Sequence, residues 1–471
     1  MEIRAQIGQM SRMIALLLCA AGAMLVFSYG TTAWAQSFEE KLLRVLDEHP
    51  RIQAAVQTLN AAEEGVDEAR AAFLPTLTFS GDTGYEYINS PDRREDPGKP
   101  SSLPRKKGTL TATQNLFSGF ENTSTFELSK LDSSRAALLL EQTRQEITRA
   151  AINAHNGVVR DSLLVQLATL SERTIARQLN LEDERVERGS GIAVDVLFAK
   201  TRLQLAKERR VALEGRLVRS ITNYEEVFAN SPAVGELTPV DIPPSAVPRT
   251  LPEIRESGRD ENIELQVARN RVSAAKERET VAEADFFPTV DLVGSTNYED
   301  NVNTNRGIRR DYSVLLRVNW ELFSGFRAQS AAAGAAFEKN AAVATEADIR
   351  RQVEKDIGLA WQALKTAQER SELLANASTI AREVFEARKK LRAAGNETAL
   401  NVLDAETEVF NARINQIRAE FDARAARVQL LASMGQLTPA HLFLVPKAEE
   451  SRAAPEPQTE QAAGSASSGS R

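Results

Sequence analysis

Apolar and polar residues follow two different periods along this chain, and each period returns once. Leu77, Phe79, Tyr85 and Tyr87 alternate with Thr78, Ser80, Asp82 and Glu86. Further on, Val290, Leu292 and Tyr298 alternate with Asp291, Ser295 and Glu299. Tyr312, Val314, Leu316, Val318, Trp320 and Leu322 then alternate with Ser313, Arg317, Asn319 and Glu321. A period of two puts each set on its own face of an extended strand. Strands of about ten residues with an aromatic, apolar face and a charged face match a membrane β-barrel. The same alternation also fits a half-buried sheet in a soluble protein.

Elsewhere the spacing is helical. Val353, Ile357, Ala360, Leu364, Ala367, Ser371, Leu374, Ser378, Ala381 and Phe385 are separated by fours and threes. Phe410, Ile414, Ile417, Phe421, Arg424, Val428 and Leu431 repeat this, with Arg424 the one misfit. Such seams belong to coiled coils and require a partner helix. Nothing breaks a helix over 121–188 or 327–393, each about 100 Å long at 1.5 Å per residue. Return helices over 196–229 and 402–434, and leading helices over 38–72 and 253–286, are about half that length. The lengths close if each long helix is flanked by two half-length helices stacked end to end.

The chain is duplicated. Phe73-Leu74-Pro75-Thr76 returns as Phe286-Phe287-Pro288-Thr289 after 213 residues, and Leu116-Phe117-Ser118-Gly119-Phe120 returns unchanged after 206. Val196-Leu197-Phe198-Ala199 returns as Val402-Leu403-Asp404-Ala405, again after 206. Three landmarks in one order divide the chain into repeats at 36–230 and 253–446. Residues 231–252 contain six prolines and read as a linker or irregular layer. Residues 447–471 have no apolar periodicity and read as a disordered tail.

Four strands cannot close a barrel, for which about eight is the practical minimum. An open edge in lipid leaves backbone groups unsatisfied. Several copies must therefore share one barrel; two would supply eight strands and three would supply twelve, and strand physics does not choose. The segments Asn89 to Lys107 and Asp300 to Asp311 are polar, join strand pairs, and are expected to be external loops.

Composition narrows the function classes. The net charge of −7 with scattered Lys and Arg argues against nucleic-acid binding. Residues 1–35 read as a secretory signal: Arg4 and Arg12 precede an apolar run, and Ala33-Trp34-Ala35 supplies the cleavage site, leaving Gln36 first. Cys19, the single cysteine, lies within that segment; a lipid-modified Cys19 is the alternative, opposed by the bulky Leu18 before it. His49, His155 and His441 are isolated, and Gly189-Ser190-Gly191 lacks the strand and third glycine of a dinucleotide loop. No catalytic constellation, metal site or cofactor site is expected.

With the FLPT and FFPT strand starts, the duplicated LFSGF and the Gly395-to-Ala412 stretch GNETALNVLDAETEVFNA, the chain resembles the TolC-like outer membrane efflux proteins over Ser37 to Pro446. The resemblance implies a homotrimer with a twelve-stranded barrel in the outer membrane of a Gram-negative bacterium and a helical tunnel crossing the periplasm. It also implies a periplasmic adaptor, an inner-membrane ABC or proton-driven transporter, and no cofactor. Protein export by a type I system and small-molecule efflux both remain open. In that family the tunnel closes where the hairpins turn, and an aspartate pair near the VLDA motif rings the constriction. Asp404 matches the second aspartate and Asn401 replaces the first, implying one acidic ring. Polar links tie the two turns together; Asp195 is the matching acidic partner, with Arg392 and Glu397 where aromatic and basic partners usually stand. Asp195 to Arg392 is the expected link, against separate solvated charges. Tyr85, Tyr87, Tyr298, Tyr312, Val314, Leu316, Val318 and Trp320 are expected to face lipid. The competing reading is a periplasmic coiled-coil adaptor or scaffold, which leaves the aromatic strand pairs unexplained.

Overall fold

The structure is a computed structural model that describes residues 37–95 and 101–443. The signal-segment, Cys19, Gln36 and tail expectations lie outside the described residues. In chain order the helices are α1 (Phe38–Glu48), α2 (Pro50–Ala71), α3 (Pro91–Glu95), α4 (Glu121–Glu187), α5 (Ala193–Phe228), α6 (Leu251–Glu261), α7 (Ile263–Glu283), α8 (Arg327–Ala393), α9 (Ala399–Met434) and α10 (Pro439–Phe443). The strands are β1 (Thr76–Tyr87), β2 (Ser102–Ser118), β3 (Thr289–Asp300) and β4 (Ile308–Asn319), forming one antiparallel sheet in chain order. Among the described residues no helix is long and apolar enough to cross a membrane.

Local chemistry sets the element boundaries. At both copies of LFSGF, glycine and phenylalanine take the left-handed conformation in succession: Gly119 and Phe120 at φ +65° and +75°, Gly325 and Phe326 at +62° and +67°. This pair turns the strand into the long helix, and the preceding serine caps it. Ser118 Oγ accepts from the Asn122 amide at 3.1 Å, and Ser324 Oγ from the Ala328 amide at 3.3 Å. At their far ends α4 and α8 stop at Gly189 and Gly395, at φ +72° and +81°. The Ser190 amide returns to the Arg185 carbonyl and the Asn396 amide to the Leu391 carbonyl, closing a Schellman turn at each tip.

The leading helices are not continuous, contrary to the sequence expectation. The first breaks at His49, whose ring accepts from the Arg51 amide, because Pro50 has no amide to continue a helix and fits the first helical position. The second breaks at Asn262, whose Oδ1 caps α7 at the Leu265 amide. The side-chain Nδ2 of Asn262 also donates to the Ser433 carbonyl. The loop expectations are likewise shortened: residues from Ser102 to Lys107 belong to β2, and Ile308 to Asp311 to β4.

The long helices are braced as their lengths require. α4 packs on α2 and α5, α8 packs on α7 and α9, and α4 also meets α7 and α9 of the other repeat. The seam from Val353 to Phe385 is buried or half-buried throughout. The misfit Arg424 lies with its guanidinium 5.0 Å from the Phe421 ring centroid and 3.9 Å from Asp241. The largest core lies where both repeats meet the proline-rich stretch and joins Leu42, Ile152, Tyr224, Ile242, Ile357 and Leu431. The proline-rich residues thus form a packed layer. His155 bonds the Thr238 carbonyl, Asn156 pairs with the Val240 backbone, and Arg427 bonds the Ile242 carbonyl.

Register gives the sheet two unlike faces. Leu77 faces Ala112, Leu110 faces Phe79, Leu292 faces Leu316, and Val290 faces Val318. On the opposite face Thr109 donates to Asn297, whose amide donates to Asp311, Asn115 donates to Asp291, and Lys107 pairs with Glu299. Tyr85, Tyr87, Tyr312, Val314 and Leu316 are all exposed on the apolar face. Trp320 falls one residue beyond β4, and its indole donates to the Phe286 carbonyl at 3.2 Å. The first repeat captures the matching Phe73 carbonyl with Gln114 at 3.1 Å.

Gly435 ends α9 at φ +80°, and a Cβ there would overlap the Glu261 carbonyl oxygen; Gly395 has the same conformation but open space around it. Gly395→Ala should cost about 1–2 kcal/mol for the left-handed conformation alone. Gly435→Ala should cost that plus roughly 1–3 kcal/mol of overpacking. Urea titration of both variants in detergent micelles checks the difference.

Candidate functional site at the hairpin turns

The two Schellman turns lie at the same end of the molecule, and charged side chains connect them. Arg392, on the last turn of α8, reaches across to α4: Nη2 is 2.7 Å from Glu182 Oε2 and Nε 3.3 Å from Oε1. Its Nη1 donates to the Glu397 carbonyl at 2.8 Å. The Glu182 side chain is only 3 % exposed and also accepts from Arg185 at 2.9 Å. A carboxylate this buried requires such pairing, and the fork geometry of arginine supplies it. Asp195 Oδ2 lies 3.6 Å from Arg392 Nη2, at the margin of the same cluster. The expected link is therefore amended: Glu182 holds Arg392, and Asp195 adds a longer contact.

Glu397 and Asn401 form a second unit on the α8–α9 turn. The Asn401 amide side chain and the Thr398 backbone amide both donate to Glu397 Oε1. The Asn401 side chain, followed by the Thr398 amide and the Arg388 charge, holds the Glu397 carboxyl below the usual carboxylate range. A depressed acid stabilises the folded turn above its unfolded pKa, and that contribution is lost as pH falls through the folded value. Asn401 is thus committed to its own turn.

Asp404, one helical turn further along α9, is not a bare carboxylate. Arg202 of α5 reaches its Oδ1 at 2.6 Å, with both side chains partly exposed. Arg202 thus supplies Asp404 with a counter-charge from the facing helix.

A further carboxylate lies two residues beyond. Glu406 is buried between α9 and α4, where the Ser171 hydroxyl donates to its Oε1 at 2.5 Å. Its other oxygen has no hydrogen-bond partner. Burial raises its pKa, opposed by the Ser171 bond and by the charge of Arg209. Glu182, Arg202 and Glu406 were absent from the sequence expectations, although two of them carry a visible signal. Ile175, Leu179, Glu182 and Val186 are spaced four, three and four, and Leu403, Glu406 and Phe410 three and four. A carboxylate in a seam position needs a partner.

A raised acid binds its proton more tightly folded than unfolded, so the folded state loses stability as pH rises from the unfolded to the folded pKa. Glu406→Gln removes that ionisation. The Tm of the variant relative to the parent should increase between pH 4 and pH 8, measured in detergent at constant salt.

Comparison with known proteins places this geometry in a family. The Outer membrane efflux protein family matches residues 42–223 and 256–436, one stretch in each repeat. AprF of Pseudomonas aeruginosa, an alkaline protease secretion protein, is 24% identical over 413 residues, covering 85% of this chain and 84% of AprF. The outer membrane protein TolC of Vibrio cholerae is 23% identical over 443 residues, covering 91% and 96%. Among solved structures, the Vibrio cholerae outer membrane protein VceC superposes with a TM-score of 0.73 at 16% identity, covering 84% of this chain and 96% of VceC. The outer-membrane channel OprN superposes with a TM-score of 0.71 at 21% identity, covering 85% and 90%. With both repeats matched, the chain belongs to the outer membrane efflux protein family, and it is an outer-membrane channel protein extending into the periplasm.

Proposed function

We infer that three copies of this chain form one channel-tunnel, sharing a twelve-stranded barrel in the outer membrane and a helical duct below it. The single observation that carries this reading is the four-stranded sheet with one apolar face and two open edges. The duct receives cargo from an inner-membrane ABC or proton-driven transporter through a periplasmic adaptor. Both protease secretion and efflux, which appear in the relatives' names, fit such a duct, because the transporter selects what enters. Protein purified from outer membranes in mild detergent should have the mass of three chains and conduct ions in planar bilayers. A non-conducting monomer would overturn the reading.

In this assembly Tyr85, Tyr87, Tyr298, Tyr312, Val314, Leu316, Val318 and Trp320 face lipid, the aromatic rings favouring the interfaces. The Arg310 guanidinium lies 5.7 Å from the Tyr298 ring, a pairing suited to the headgroup level. Leu316→Arg should cost on the order of 2–4 kcal/mol per chain at mid-bilayer, whereas Leu315→Arg, pointing into the lumen, should be tolerated. Unfolding titrations in lipid vesicles compare the two.

The hairpin turns act as the periplasmic gate. Arg392 bound to Glu182 ties α8 to α4, with Asp195 and Glu397 completing the link, and Asp404 with Arg202 sets the charge at the mouth. Arg392→Ala should raise conductance by releasing the turns. Arg202→Ala uncovers Asp404 and should shift selectivity towards cations; Asp404→Ala leaves Arg202 and should shift it towards anions. Reversal potentials in a KCl gradient read the sign, and unchanged values in both variants would remove Asp404 from the mouth.

A further inference from the structure

A second cluster of charge stands farther from the turns, where α5 of the first repeat approaches α9 of the second. Arg209 and Arg216 are seven residues apart on α5, and Asn411, Asn415 and Arg418 are spaced four and three on α9. Those spacings keep each set on one face of its helix. The two faces line a cavity of 460 Å³ together with the buried Leu213, Phe410 and Ile414, and Glu208 is the one carboxylate among its lining residues. Arg216 and Arg418 also line a neighbouring cavity of 570 Å³, where Arg160 and Asp161 of α4 join them.

The carboxylates at hand are engaged elsewhere. Asp161 accepts from Arg160 Nε at 2.9 Å and Nη2 at 3.0 Å, and from the Ser220 hydroxyl as well. Glu172 and Glu214 are both bound by Arg210. Asp422, one turn beyond Arg418, is exposed and forms no ion pair with it. Arg216 and Arg418 are thus left with no hydrogen bond or ion pair to any described residue. Arg209 instead lies over the Phe410 ring, its guanidinium 5.5 Å from the centroid. Burial, followed by the charges of Arg216 and Arg160, holds the Arg418 guanidinium below its ordinary range, and Asp161 and Asp422 oppose this without reversing it. Arginine stays charged even so. Two like charges are therefore held together across α5 and α9 against their repulsion.

We propose that Arg216 and Arg418, with the side-chain amides of Asn411 and Asn415, form a binding site for a doubly charged oxyanion of the phosphate type, held between α5 and α9. Each guanidinium can turn a fork of N–H donors to such an anion, and two negative charges balance the pair. The source is a free, soluble anion. Arg160 stands roughly 40 residues along α4 from the sheet, about 60 Å at the helical rise, so a lipid headgroup of the outer membrane is out of reach. Bound there, the anion would tie the return helix of one repeat to that of the other.

The full chain purified in mild detergent tests this, with inorganic phosphate replacing chloride at constant ionic strength and about pH 8, where phosphate carries nearly two charges. Phosphorus-31 line broadening should saturate with protein, and the half-saturating concentration should rise at least about tenfold in Arg418→Gln and in Arg216→Gln, each of which removes one charge-assisted pair. Arg413→Gln makes the same change of charge on α9 at an exposed position outside both cavities, and should leave binding unchanged. In chloride the two site variants should melt no lower than the parent, because each relieves a repulsion; phosphate should then raise the Tm of the parent and not theirs. If Arg418→Gln fails to accumulate, the more exposed Arg216 decides alone. Binding that survives both substitutions, or that Arg413→Gln weakens equally, would overturn the site. So would site variants that melt below the parent in chloride, which would make the arginines structural. A parent that does not respond to phosphate would overturn it as well, since the pair would then be neutralised within the assembly.

Discussion

The constraint on which the rest of this molecule depends is that backbone groups in hydrocarbon must find partners inside the protein. The sheet satisfies β2 and β3 on both sides and leaves the outer edges of β1 and β4 open. In water such edges invite aggregation and are usually blunted by charge, proline or bulges. Here Leu77 and Phe79 on one edge strand and Val314 and Leu316 on the other are exposed apolar residues. In the trimer proposed above the edges are closed by further copies of the chain, and the helices follow the same symmetry. Each long helix leaves the sheet through the same two-residue left-handed turn, so barrel closure also fixes where the helical duct stands.

Much of this was legible in the sequence because the signals are periodic and duplicated. The long helices α4 and α8 end within a residue of their expected limits, since nothing between Glu121 and Glu187 or between Arg327 and Ala393 interrupts the pattern and a glycine follows each end. The seam from Val353 to Phe385 is covered along its length for the same reason. The leading helices were harder to read. Pro50 tolerates a first helical position as well as a break, and Asn262 is an ordinary helix residue until its side chain is seen capping Leu265. The strand ends were misplaced because Lys107 and Arg309 look like loop residues; on the polar face of the sheet they are strand residues, both facing Glu299 from neighbouring strands.

At the hairpin turns the sequence indicated the region and several of the participants but not the pairings. Arg392 and Asp195 stand close, yet the shortest bonds go to Glu182, 210 residues away on α4. Asp404 was legible through its motif, whereas Arg202 was one of many helical arginines. Pairing across helices depends on their relative rotation and rise, and a seam pattern fixes the rotation more tightly than the rise. The structure supplies that missing coordinate.

The middle core has a consequence for how the chain becomes a folded protein. Its buried members begin at Leu42 and end at Leu437 and Leu442, almost the full described span apart. Contacts of such long sequence separation are entropically expensive and form late. A chain synthesised from its N-terminus can pair β1 with β2 and α4 with α5 from the first repeat alone, but cannot complete this layer until its last helix is present. Until then Ile152 and Tyr224 of the first repeat lack the second repeat's share of their cover. The same layer that stiffens the finished protein therefore ties completion of the fold to the arrival of the last helix.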